Sequence, residues 1–224
     1  MTTALVFIGD SITDAGRRED PDQLGAGYVR LIASRLASPA TTFVNTGIGG
    51  NRVGDLVGRW DADALAHRPD ILTIYIGIND TWRRYGSEPD PTTADAFGHQ
   101  LSSLLESATE AGVPHLVLME PFVLPVTDEQ ERWIAEDLGE KQAVVAELAR
   151  TWATAFVPLQ SLMSERAAEV GAAAIADDGV HPTAAGDEII ADGWIAAAAH
   201  LVPGPGDSEP GGARAAVESA ADHG

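Results

Sequence analysis

The chain has 224 residues, 45% of them hydrophobic, enough for one domain with a sizeable core. Its formal net charge of −20 opposes DNA, RNA and anionic membrane surfaces as partners. It holds no cysteine, which excludes disulfides, thiolate metal sites and a cysteine nucleophile.

Met1-Thr2-Thr3 lacks a basic leader, and the apolar run that follows is too short for a signal segment. No stretch reaches the roughly 20 apolar residues of a membrane-spanning helix. A cytoplasmic protein is expected. Lys141 is the only lysine, and the other basic side chains are arginine.

Residues 4–8, an unbroken apolar run, read as a first strand, and 28–36 as a helix. A short strand follows at 42–45 and a helix at 55–66. Residues 71–76 are β-rich and nearly all apolar, as a strand buried on both faces should be. An amphipathic helix is predicted over 93–111, with Gly112 placed to end it. Residues 115–119 form strand four. Residues 129–153 are helical with a break near Gly139. Strand five spans 155–158, and helices follow at 161–170 and 184–201.

This alternation implies an α/β fold with a mainly parallel five-stranded sheet and helices on both faces. Residues 1–201 form the expected domain. Residues 202–224 are rich in Pro, Gly and Ser without apolar periodicity, and a disordered or loosely docked tail is expected there.

Four segments carry chemistry. Gly9-Asp10-Ser11, Asn45 to Asn51 and Gly77-Ile78-Asn79-Asp80 each follow a predicted strand. In a parallel sheet such loops emerge at one edge, where ligands bind. The fourth segment is Asp178-Gly179-Val180-His181.

Ser11 is the candidate nucleophile, and a serine hydroxyl needs an adjacent base. His181 is that base, and Asp178, three residues earlier, reaches the far ring nitrogen within one turn. Oxyanion donors are the Asn79 amide and the backbone N–H groups of Gly50 and Ser11. Each segment also has a plainer reading: a helix cap at Asp10-Ser11 and at Asn79-Asp80, a turn at Gly47 to Gly50, a surface histidine before a helix at His181. Asp10, Trp82, Arg83 and Phe122 are candidates for contact with substrate, although Trp82 equally suits core packing. Asp14 and Arg17 suit ion pairing around the Ser11 turn. No metal-ligand cluster and no cofactor motif stands out, and none is expected.

With Ser11, Gly50, Asn79 and His181 in this order, and Asp178 completing a D-x-x-H block, the chain resembles the SGNH or GDSL hydrolase superfamily over about residues 4 to 201. The resemblance implies a flavodoxin-like three-layer α/β/α sandwich and metal-independent ester hydrolysis. Residues 9–17, 25–29, 50–56, Arg59-Trp60 and 77–83 are similar to the branch containing intracellular bacterial acetylxylan esterases. That likeness implies an esterase acting on acetylated small carbohydrates such as xylo-oligosaccharides, and a homo-oligomer, with Trp60, Trp133 and Trp194 as interface candidates. Ile175-Ala176-Asp177 lacks the aromatic residue expected just ahead of the catalytic aspartate in that branch. The alternatives are a lysophospholipase or thioesterase of the same superfamily, disfavoured by the lack of a long apolar insertion, and a non-catalytic carbohydrate-binding relative, disfavoured by retention of Ser11, Asn79 and His181.

Overall fold

A computed structural model describes residues 2–86 and 90–203 of the chain. The expected tail therefore lies almost wholly outside the described residues. Strand β1 (Thr3–Gly9) leads into a single helical turn, α1 (Ser11–Asp14), then α2 (Tyr28–Leu36), β2 (Thr41–Asn45) and α3 (Val53–Asp63). Strand β3 (Ile71–Tyr75) is followed by the short α4 (Ile78–Trp82), the long α5 (Ala94–Glu110) and β4 (His115–Met119). Next come α6 (Asp128–Trp133), a π-helical turn over Ile134–Leu138, α7 (Gly139–Trp152) and β5 (Ala155–Val157). The chain closes with α8 (Leu159–Val170), α9 (Ala172–Ile175) and α10 (Ala184–Ala198).

The sheet is parallel throughout, in the order β2-β1-β3-β4-β5. Chain direction across the sheet reverses at β1, so a crevice opens between the C-terminal ends of β1 and β3. Side chains alternate between two cores. Leu5, Phe7, Tyr75 and Met119 meet α2, α8 and α10 on one face. Val6, Ile8, Ile74 and Leu118 meet α3, α5 and α7 on the other. Apolar residues at successive positions of these strands thus serve two layers of helices. Each fully buried Leu, Ile or Phe contributes about 1.5–3 kcal/mol.

Three expectations need correction. The helix expected at 55–66 starts at Val53, because Asp55 is not its first residue but accepts the Arg52 N–H at 2.8 Å from the first turn. The chain does not break near Gly139; it widens, with the Gly139 N–H reaching back to the Ile134 carbonyl. Trp60, Trp133 and Trp194 offer no interface surface, being 4%, 1% and 0% exposed within the core. The Trp194 indole donates to the Thr73 hydroxyl at 3.0 Å and fastens α10 to the sheet.

Candidate active site

Ser11 opens α1 immediately beyond β1. The N-cap is Asp10, whose carboxylate accepts the Ile12 N–H at 3.0 Å, so the Ser11 hydroxyl is not spent on capping. Its Oγ lies 2.9 Å from His181 Nε2, across 170 residues of sequence. His181 Nδ1 lies 2.6 Å from Asp178 Oδ2. The second oxygen, Asp178 Oδ1, accepts the backbone N–H groups of Val180 and His181 at 2.9 and 2.7 Å. Partial burial pushes the Asp178 pKa up, but the His181 ring and the two backbone donors outweigh it and hold the carboxyl below its ordinary value. An ionised Asp178 then fixes the proton on Nδ1 and leaves Nε2 free to accept one from Ser11.

The histidine loop is itself held. Gln130, 6% exposed, donates through Nε2 to the Asp178 carbonyl at 2.7 Å, and the Leu124 N–H donates to the Gly179 carbonyl at 2.8 Å. Trp82 packs against the His181 ring with centroids 5.9 Å apart.

The glycine-rich loop after β2 is tied to α1. Asp14 accepts the Gly49 N–H at 3.0 Å, and the Arg17 Nε–H donates to the Gly47 carbonyl at 2.7 Å. Arg17 therefore acts on a backbone carbonyl, and the ion-pair partner of Asp14 is Arg18, at 3.9 Å. The two central glycines serve different ends. A Cβ on Gly47 would lie 2.3 Å from the Asp14 nitrogen, so close approach excludes any side chain. Gly50 has room around it, and its φ of +79° is what requires glycine.

Asn79 lies in the first turn of α4, on a short helix where a loop is expected from sequence. It does not cap that helix; Gly77 is the N-cap. Its amide donates to the Asn51 carbonyl at 3.1 Å. The Arg83 guanidinium approaches Gly50, with Nη2 3.8 Å from where its Cβ would be.

Two expected substrate contacts present no surface. Phe122 is fully buried in the core, and Asp10 is 1% exposed. Burial raises the Asp10 carboxyl to about 7 against its bond from Ile12 and the neighbouring His181. Trp82 is partly exposed and Arg83 exposed. A cleft of about 280 Å³ opens beside Ser11 and is lined by Asp14, Arg18, Glu19 and Gly49, among others.

Arg59, which the sequence offers only within the Arg59-Trp60 likeness and with no role, ties the loops of the site together. It spans the Thr46 carbonyl at 2.6 Å, the Gly9 carbonyl at 2.9 Å and Asn51 Oδ1 at 2.8 Å. One guanidinium thereby joins the ends of β1 and β2.

A family model described as "GDSL-like Lipase/Acylhydrolase family" matches residues 7–189. The chain belongs to this family. As a GDSL-type acylhydrolase it is a carboxylic ester hydrolase. It is 34% identical over 203 residues to an acetylxylan esterase of Geobacillus stearothermophilus, covering 85% of this chain and 91% of that one. The crystal structure of an acetylxylan esterase from G. stearothermophilus superimposes with a TM-score of 0.77 at 34% identity, covering 87% of this chain and 93% of that one. A GDSL-like lipase from Parabacteroides merdae superimposes at 0.80 with 32% identity, over 87% and 94% of the two chains. Catalytic mutants of the Geobacillus enzyme replace a serine, a histidine or an aspartate by alanine. These likenesses establish the α/β acylhydrolase fold. Among the described residues no helix is long and apolar enough to cross a membrane, and no group of three or more His, Cys, Asp or Glu side chains is placed to hold a metal ion.

Proposed function

We propose that this GDSL acylhydrolase removes acetyl groups from small carbohydrates through an acyl-enzyme on Ser11. The observation that carries the reading is the hydrogen-bonded chain Ser11–His181–Asp178, with contacts of 2.9 and 2.6 Å. Neutral His181 takes the Ser11 proton as Oγ attacks the ester carbonyl. The Asn79 amide and the N–H groups of Gly50 and Ser11 receive the developing oxyanion. His181 then delivers its proton to the departing alcohol, and the tetrahedral intermediate collapses to acetyl-Ser11. Water attacks that ester with His181 again as base, releasing acetate and restoring the hydroxyl. No step calls for a metal.

The polar cleft beside Ser11 suits a hydroxylated leaving group, since Asp14, Arg18 and Glu19 offer donors and acceptors to sugar hydroxyls and nothing to a long alkyl chain. A lysophospholipase or thioesterase needs the opposite lining. The similarity to an acetylxylan esterase points to the same class of substrate. Intact Ser11 and His181 speak against a binding-only relative.

The test is acetate release from acetylated xylosides alongside a p-nitrophenyl ester series. Acetyl esters should be preferred over acyl chains of eight carbons or more, because each methylene gains about 0.8 kcal/mol only where a pocket receives it. A kcat/KM that climbs steadily with chain length, with no acetate released from sugars, overturns the reading.

A further inference from the structure

Asn79 sits on α4 and Gly50 on the loop before α3, so an oxyanion site built from both needs the two segments held in register. We propose that Asp80 is the positioning residue that does this, clipping α4 to the start of α3. The inference rests on the assignment of Asn79 and Gly50 as oxyanion donors.

Asp80 is fully buried, and its Oδ2 accepts the Val53 N–H at 3.1 Å. Val53 is the first residue of α3, three positions after Gly50. The preceding residue on α4, Asn79, donates to the Asn51 carbonyl. Consecutive side chains of one helix thus grip residues 51 and 53 of the neighbouring loop. A rotation or slide of either loop breaks both bonds.

The grip is backed from below. Lys141, the only lysine, is completely buried and pairs with Asp137 in the π-helical turn, and its positive charge favours the ionised form of Asp80. Arg84, just beyond α4, reaches the same Asp137 at 3.3 Å. The Tyr85 and Trp133 rings stack 5.5 Å apart and close the same joint. The π-helical turn thus fastens α4 from one side while Asp80 fastens it to α3 on the other.

Fold stability alone gives no reason for a carboxylate here. Among the described residues Asp80 Oδ1 accepts no hydrogen bond of ordinary length, and a buried under-satisfied oxygen is a cost. Burial pushes the carboxyl up to about 6 despite the Val53 N–H, the nearby Thr92 and the positive charges of Lys141 and Arg52. What the carboxylate supplies is a short, stiff acceptor for the Val53 N–H directly beside Asn79.

The experiment compares Asp80→Ala, Asp80→Asn, Val53→Pro and Asn79→Ala by kcat, KM and thermal midpoint on an acetyl ester. Proline at the first position of a helix keeps the helix and deletes the N–H, and the thermal midpoint reads the accompanying loss of the buried Val53 side chain. Asp80→Ala and Val53→Pro should each lower kcat roughly ten- to a hundredfold, with KM changed less than about threefold, as loss of a transition-state contact does. Asp80→Asn keeps an acceptor oxygen and should restore most of the rate. If Asp80→Ala is too unstable to purify, Val53→Pro carries the same test. Lowered midpoints with kcat within threefold of wild type in Val53→Pro and Asp80→Ala, beside a hundredfold loss in Asn79→Ala, overturn the positioning role and leave the oxyanion assignment standing. An unaffected Asn79→Ala overturns both.

Discussion

The Gln130 side chain bridges to the Asp178 carbonyl at 2.7 Å while its own Oε1 accepts the Val126 N–H at 3.0 Å. A residue 48 positions upstream therefore sets the height of the loop that presents Asp178 and His181 to Ser11. Replacing Gln130 by Ala leaves the Asp178 carbonyl and the Val126 N–H without partners, at about 1–3 kcal/mol each when they stay unsolvated. The expected outcome is a lower thermal midpoint together with a lower kcat, because the histidine loop loosens. Thermal unfolding and steady-state kinetics on Gln130→Ala check it; a destabilised variant with unchanged kcat would show that the loop holds its place without Gln130.

Ser11→Ala should fold as the native protein does and lose nearly all esterase activity. The serine hydroxyl takes no part in capping α1, since Asp10 does that, so its removal leaves local structure intact. Loss of a triad member costs roughly 10⁶ in kcat. Circular dichroism and p-nitrophenyl acetate turnover on the same sample decide the matter, and activity within tenfold of native removes Ser11 from the mechanism.

Asn79→Ala should lower kcat by roughly a hundred- to a thousandfold, the cost of one oxyanion donor. Since Gly77 caps α4, the stability loss of about 0.5–2 kcal/mol that accompanies a deleted cap is not expected. A variant with native kcat and a depressed midpoint would instead place Asn79 in the scaffold alone.

Asp187 predicts a pH signature in stability. Burial pushes its carboxyl up to about 7, against the Tyr28 N–H it accepts at 3.1 Å and with Glu188 raising it further. The folded chain therefore binds a proton that the unfolded chain releases near its ordinary value of 3.8. Folded excess protonation means stability falls as pH rises between those two values and levels off above the higher one. Asp187→Asn keeps an acceptor for Tyr28 and removes this term. The variant's midpoint should gain on the native one from acid to neutral pH, with the gap constant beyond. Calorimetry at a series of pH values checks it, and a gap independent of pH refutes it.

Activity should be lost in acid, because general-base catalysis at Ser11 needs an unprotonated imidazole. The measurement is the pH profile of kcat/KM, with the midpoint of unfolding followed in parallel. A rate that is flat across the range where the fold stays intact would argue for a different base.

Local periodicity carried most of the architecture. The apolar stretches at Leu5 to Ile8 and Ile71 to Tyr75 are strands because every position faces one of two helix layers, and β-strands with no polar face leave no other solution. The helix Tyr28–Leu36 and the strand His115–Met119 were legible at both ends for the same reason. The candidates Ser11, Asn79, Asp178 and His181 stand out in the sequence because they fall in short segments that follow strands or precede a helix. Other features depend on contacts between distant segments. Arg59 is an ordinary helix residue until the fold brings the Gly9 and Thr46 carbonyls to it. Trp133 is a plausible surface aromatic until Trp82 and Tyr85 close over it. Phe122 follows a strand, as the site segments do, yet packs inward because the chain beyond β4 turns into the core. In the widened turn Ile134–Leu138, Asp137 pairs both with buried Lys141 and with Arg84 from beyond α4, a junction across 53 residues of sequence. Hydrophobic period is a property of neighbours in the chain; the partner of a buried polar group is a property of neighbours in space, and only the tertiary structure decides it.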